Sequence, residues 1–268
     1  MAEAGAPLPT TIKDVLKALD EVVDWALEEE SRLGYFAAMY RIVTAKVAEG
    51  IEEGYFDDGP RMERLDVCFA NRYLAALTAF EDEGRPTRSW ELAFEAGASA
   101  RLLVLQQLIL GINAHINLDL GIAAATTAPG EDLPGLRRDF DRINEILALL
   151  IAGIERDLGE ISPWIRLLAT LGGRHDEEVV RWSIEVARTE AWRLATELAP
   201  LDPADWPGPV AARDARVARL ARRVTNPGWL TAALLLIRSR ESNDVRRNIE
   251  ALRNATGPDL AAVERRVR

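Results

Sequence analysis

Between Leu102 and Ala125 the chain is apolar on every side of any helix drawn through it, yet the stretch carries Gln106, Gln107, Asn113, His115, Asn117 and Asp119. A helix that is apolar all round belongs in an interior, and polar groups carried inside with it must find partners there. This stretch therefore fixes a centre: a helix enclosed by others, with a polar network inside. Lipid would offer those side chains no partners, so no membrane span is expected.

The remaining chain also reads as helix. Thr11-Ile12-Lys13-Asp14 has the form of a capping box, followed by Ile12, Leu16, Leu19, Val23 and Leu27 at helical spacing. Tyr35 to Val47 and Pro60 to Phe80 repeat the pattern, with turns near Gly34, Gly54 and Gly84. Ser89 is placed to cap a long helix over about 90–126, with Gly97 and Gly111 as its weak points. Pro134 opens the next helix, and others follow over about 176–198, 210–224, 229–238 and 244–254. No alternating run is long enough for a strand. The predicted fold class is all-α: a single multi-helix, bundle-like domain spanning 1–268 around a buried central helix, with a possible break near the three prolines of 201–209.

Charge is unevenly distributed. The net charge is −10, but residues 210–268 hold 13 arginines against six carboxylates. A basic region suggests nucleic acid when aromatic residues are interleaved with it, and here Trp229 stands alone. The expectation is a basic region packed on an acidic body, with no nucleic-acid binding; an exposed face shared by Arg216, Arg219 and Arg223 would argue the opposite. A single cysteine, Cys68, and a start with no basic or apolar leader point to the cytoplasm.

Helical geometry sorts the central polar residues into two stripes. At about 100° per residue, Gln106, Asn113 and Asn117 share one side, while His115 and Asp119 lie opposite. Arg72 falls on the apolar face of the third helix among Leu65, Cys68, Phe69 and Ala76, and Asn144 falls on that of the helix after Pro134. A buried arginine needs an acceptor and a buried aspartate a donor, so Arg72 is expected to meet Asp119 or Asn117. Asp66 and Asn71 are further candidates on the same helix. His115 and Asp119, four apart, can bond directly; a carboxylate on one imidazole nitrogen fixes the tautomer and raises the basicity of the other. The same pair can equally be a structural tie. His-x₃-Asp also has the spacing of two metal ligands, but His175 is the only other histidine, so no metal site is assigned and nothing names a cofactor. Phosphate loops, nucleophile elbows and dinucleotide fingerprints are absent. Arg181, Glu185, Arg188 and Trp192 form a stripe that reads as an ion-paired surface edge.

The string Gly111–Leu120, together with Arg64–Leu74, resembles a bacterial family known as domain of unknown function number 5995. That resemblance carries no activity to transfer. A more distant similarity, in His-x₃-Asp on a helix, is to the all-α zinc phospholipase C and nuclease group, whose further histidines this chain lacks. The residues themselves point to a small, partly apolar molecule bound beside the central helix, with His115 and Asp119 as an acid–base pair and Arg72, Asn113, Asn117 and Asn144 positioning it. The competing reading is a binding or scaffold protein whose polar network sets helix register, and a metal-dependent hydrolase ranks third.

Overall fold

The structure is a computed structural model and describes residues 7–82, 84–143, 184–228 and 231–255. Those residues contain helices and no strand. In chain order they are α1 (Ile12–Glu28), α2 (Gly34–Glu52), α3 (Gly59–Glu81), α4 (Arg88–Gly97), α5 (Val104–Ala114), a π-turn (His115–Asp119) and α6 (Leu120–Thr127). Then come α7 (133–143), α8 (Ile184–Leu198), α9 (Pro207–Thr225), α10 (Thr231–Arg238) and α11 (Val245–Arg253).

The α1 capping box forms as the sequence dictates, Thr11 accepting from the Asp14 amide and Asp14 from the Thr11 amide. The buried stripe of α1 is Ile12, Val15, Leu19, Val23 and Ala26, so Leu16 and Leu27 are turned to its edge. Asp58 caps α3 by accepting from the Arg61 amide, with Pro60 in the first turn, where its missing N–H costs nothing.

The central stretch is buried, but it is not one helix over 90–126. It breaks between Gly97 and Leu103, and α5 restarts under its own caps: Gln106 Oε1 accepts from the Leu103 amide at 3.1 Å, and Glu241 from the Val104 amide at 3.1 Å. Nor does Ser89 cap α4. Thr87 stands at the cap position, and the Arg88 and Ser89 amides donate to Asp214 of α9 at 2.7 and 2.9 Å. A carboxylate with two free oxygens satisfies two orphan amides at once, which a serine hydroxyl cannot do.

Two apolar cores meet on the central helices. Leu108, Leu110 and Ala114 join α1, α2, α4 and α11; Ile116, Leu118, Leu120 and Ile122 join α3, α7 and α8. Gly111 and Gly121 permit the closest approaches. A Cβ at Gly111 would lie 2.4 Å from the Phe36 ring, and one at Gly121 2.6 Å from the Ala191 carbonyl oxygen. The segment Val104–Thr127 is long and apolar enough to cross a membrane, and 89% of its most apolar window is buried in the protein.

The basic C-terminal region is fastened to the body at several points. Arg213 pairs with Glu190, Arg246 with Glu30 and Arg253 with Asp24, at 2.7–3.2 Å. Arg216, Arg219 and Arg223 nonetheless share the exposed face of α9, so that region has both a packed side and a solvated one. Arg188 does not lie on a surface edge. It is buried, donates to the Phe140 carbonyl and sits 4.3 Å over the Phe140 ring, and burial pushes its guanidinium down to about 9. Phe140 supplies an acceptor and a π-face there that helical spacing alone does not reveal.

Candidate functional site

Asp119 is the hub. Its side chain is 1% exposed and three donors converge on it. Arg72 Nε of α3 donates to Oδ1 at 2.8 Å, Trp90 Nε1 of α4 to Oδ2 at 2.7 Å, and His115 Nδ1 to Oδ2 at 3.2 Å. Burial opposes the charge on this carboxylate, but Arg72 and the His115 and Trp90 hydrogen bonds outweigh it and hold the carboxyl below its usual range. An ionised Asp119 only accepts, so the proton between the two residues resides on His115 Nδ1.

His115 is therefore a neutral imidazole with a lone pair on Nε2. Burial pushes its pKa down against the upward pull of Asp119. The ring stacks on Phe69 with centroids 3.5 Å apart and is ringed by Phe36, Tyr40, Tyr73 and Trp90. Among the described residues, Nε2 has no hydrogen-bond partner in this aromatic cage.

The π-turn sets this geometry. The Leu120 amide donates to the His115 carbonyl, five residues back, which widens the helix by one residue locally. The extra residue brings positions i and i+4 nearly into line, so that the imidazole and the carboxylate face the same neighbours. Such single-turn expansions recur at functional sites.

A cleft of about 760 Å³ opens above Asp119. Its floor is one helical stripe of α3: Arg64, Val67, Cys68, Asn71, Arg72, Ala75, Ala76 and Ala79. One wall is the segment before α1, with Leu8, Thr10 and Thr11; the other is Arg85, Pro86, Thr87 and Trp90. Asn71 ties the first wall down by donating to the Pro9 carbonyl at 2.9 Å. Cys68 lies half-buried in the floor, its thiol pushed up by burial. Asp66 is not part of the cleft; it is buried, with Oδ2 unpartnered among the described residues.

Of the residues singled out from sequence, Arg72, Asp119 and His115 come together, and the first two reach the cleft. His115 stays behind Asp119. Asn113 and Asn117 face away: Asn117 donates to Asn113 at 3.1 Å, and Asn113 to the Val217 carbonyl of α9 at 3.1 Å. Gln106, about two turns earlier on α5, does the same, donating to the Val224 carbonyl at 2.7 Å. This second stripe is a seam to α9. Asn144 and His175 lie outside the described residues, among which no three His, Cys, Asp or Glu side chains gather to hold a metal ion.

Sequence reasoning missed Trp90, although a buried indole N–H usually finds an acceptor and so was itself a signal. Arg64 and Arg85 carry no such signal, being ordinary surface arginines until the fold brings them to one opening.

No curated protein and no solved structure matches the sequence. The model of a family of unknown function, DUF5995, matches residues 12–227, which takes in α1 to α9 and all of the Arg72–Asp119–His115 chain but stops short of α10 and α11. The protein belongs to that family.

Proposed function

We propose that the protein binds a small, partly apolar molecule in the α3 cleft, with the Arg72–Asp119 pair as the polar end of the site. The observation that carries this reading is the cleft itself: about 760 Å³, within the range of small-molecule sites, with apolar side chains along most of its floor and, at its base, an ion pair whose carboxylate is buried and whose guanidinium is partly exposed. His115 acts through Asp119, as a positioning residue that holds the carboxylate and keeps it ionised.

The test is ligand-detected NMR with a library of small, partly apolar molecules on the wild type and on Ala75→Trp. Ala75 is exposed on the cleft floor, so an indole there fills the opening without entering the core. Hits that vanish in A75W while the melting temperature holds support the reading. Hits indifferent to A75W would sink it.

A second reading, acid–base catalysis, is favoured by one observation: His115 has its proton on the Asp119 side and an unengaged lone pair on Nε2, the form a general base takes. It requires a substrate atom to reach Nε2 past Phe69 and Tyr40. Turnover that rises with a pKa below the usual histidine value and disappears in His115→Gln would favour it over simple binding.

A further inference from the structure

Resting on the cleft reading above, we infer that the ligand carries an oxyanion head, a carboxylate or a phosphate, on a short apolar body. Three guanidinium groups line the opening, those of Arg64, Arg72 and Arg85, against two carboxylates, Glu63 and Asp119. Asp119 is engaged through both oxygens and Glu63 through one. Asp119 holds its three donors, and Glu63 accepts from the Ile12 amide at 3.1 Å. The arginines are not used up in the same way. Arg72 gives only its Nε to Asp119, so its two terminal nitrogens stay uncommitted among the described residues, and its side chain is 28% exposed. Arg64 and Arg85 make no ion pair among the described residues. Asp119 fixes Arg72 from behind, leaving a planar fork that faces the cleft, the arrangement that suits bidentate recognition of an oxyanion.

Two helix ends also border the cleft, those of α1 and α4, but neither is the binding group. Their first amides are taken by Asp14, Glu63 and Asp214. The arginines must therefore supply the recognition. Val67, Ala75, Ala76, Ala79 and Pro86 offer the ligand's body an apolar track beside them.

The experiment is calorimetric titration of the full chain with hexanoate, hexyl phosphate, hexan-1-ol and inorganic phosphate. Variants are A75W, the double variant Arg64→Ala/Arg85→Ala, and Arg72→Lys, each checked for fold by circular dichroism. The double variant alters only exposed side chains, so it stays informative even if Arg72→Lys fails to fold. The expected result is that one or both hexyl anions bind at least about tenfold tighter than hexan-1-ol. The double variant should weaken that binding about tenfold, A75W should abolish it, and the tighter of the two anions names the head group. Hexan-1-ol binding as well as the anions would leave the cleft reading intact and overturn the oxyanion. Inorganic phosphate binding as tightly as hexyl phosphate would overturn the apolar body. Binding unaffected by A75W, or none with any probe, would overturn both readings.

Discussion

Asp119 illustrates how one buried charge organises its neighbours. Isolated in the interior it would be protonated; with a guanidinium, an indole and an imidazole aimed at it, ionisation becomes the cheaper state. Asp119→Asn keeps the shape but removes the charge and turns one acceptor oxygen into a donor facing donors. The expected loss is about 3–5 kcal/mol, read as a fall in the urea midpoint at pH 7. His115→Ala should cost less, about 1–3 kcal/mol, because Arg72 and Trp90 still hold the carboxylate. A larger loss for His115 than for Asp119 would refute the hub assignment. Asp66 behaves in the opposite sense. Burial, with Glu63 nearby, pushes its carboxyl up to about 7. The folded protein then keeps a proton that the unfolded chain releases near the ordinary aspartate value of 3.8, so this residue's contribution to stability declines as pH rises from about 4 to 7. Asp66→Asn should remove that decline and gain about 1–3 kcal/mol over the wild type at pH 8. Paired urea melts at pH 5 and pH 8 check it; equal slopes in the two proteins would count against it. The meeting of Arg72 and Asp119 was legible in the sequence, because a cation and an anion on two apolar faces have few ways to be satisfied. The closure of the His115 cage was not, since it depends on Phe36, Tyr40, Phe69 and Tyr73 arriving from two other helices.

At the scale of elements, the helices themselves were readable from spacing and caps, with α1 and α3 starting where Thr11 and Asp58 place them. What spacing concealed is how the central stretch is cut. Periodicity runs on across 98–103 because both flanks are apolar, and only Glu241 and Gln106 at the new start show that the helix restarts. The π-turn is equally silent in sequence: its extra residue leaves the apolar pattern intact while rotating everything beyond it. Gly121 is the element-scale contact to test. Its bare Cα lets α8 pass with the Ala191 carbonyl against α6. Gly121→Ala would force the two helices apart and cost about 1–3 kcal/mol despite the better helix propensity of alanine. A neutral or stabilising effect in a thermal melt would show that α8 yields.

Across the whole molecule, α9 and α11 belong to the same cores as the N-terminal helices, while Leu234 and Ile237 of α10 form a small separate cluster with Leu103. Val245, Ile249 and Leu252 of α11 pack with α1 and α2, and Val217 and Ala221 of α9 pack into the two cores of the central helices. We propose on that basis that the chain unfolds as one unit despite the prolines of 201–209. The expected outcome is a single urea transition with coincident midpoints from tryptophan fluorescence and from helical circular dichroism. Two separated midpoints would mark the proline segment as a true boundary. Asp214 gives this arrangement a consequence in time. The wall of the cleft that holds Arg85 and Thr87 is anchored to a carboxylate 126 residues further along the chain. At ordinary translation speeds of 5–20 residues per second, that anchor leaves the ribosome about 6–25 s after the wall it secures. Until then the nascent protein has the floor of its cleft and the wall before α1, but nothing holding the opposite wall, so a messenger truncated before codon 214 would yield a chain whose Arg85–Thr87 wall is untethered.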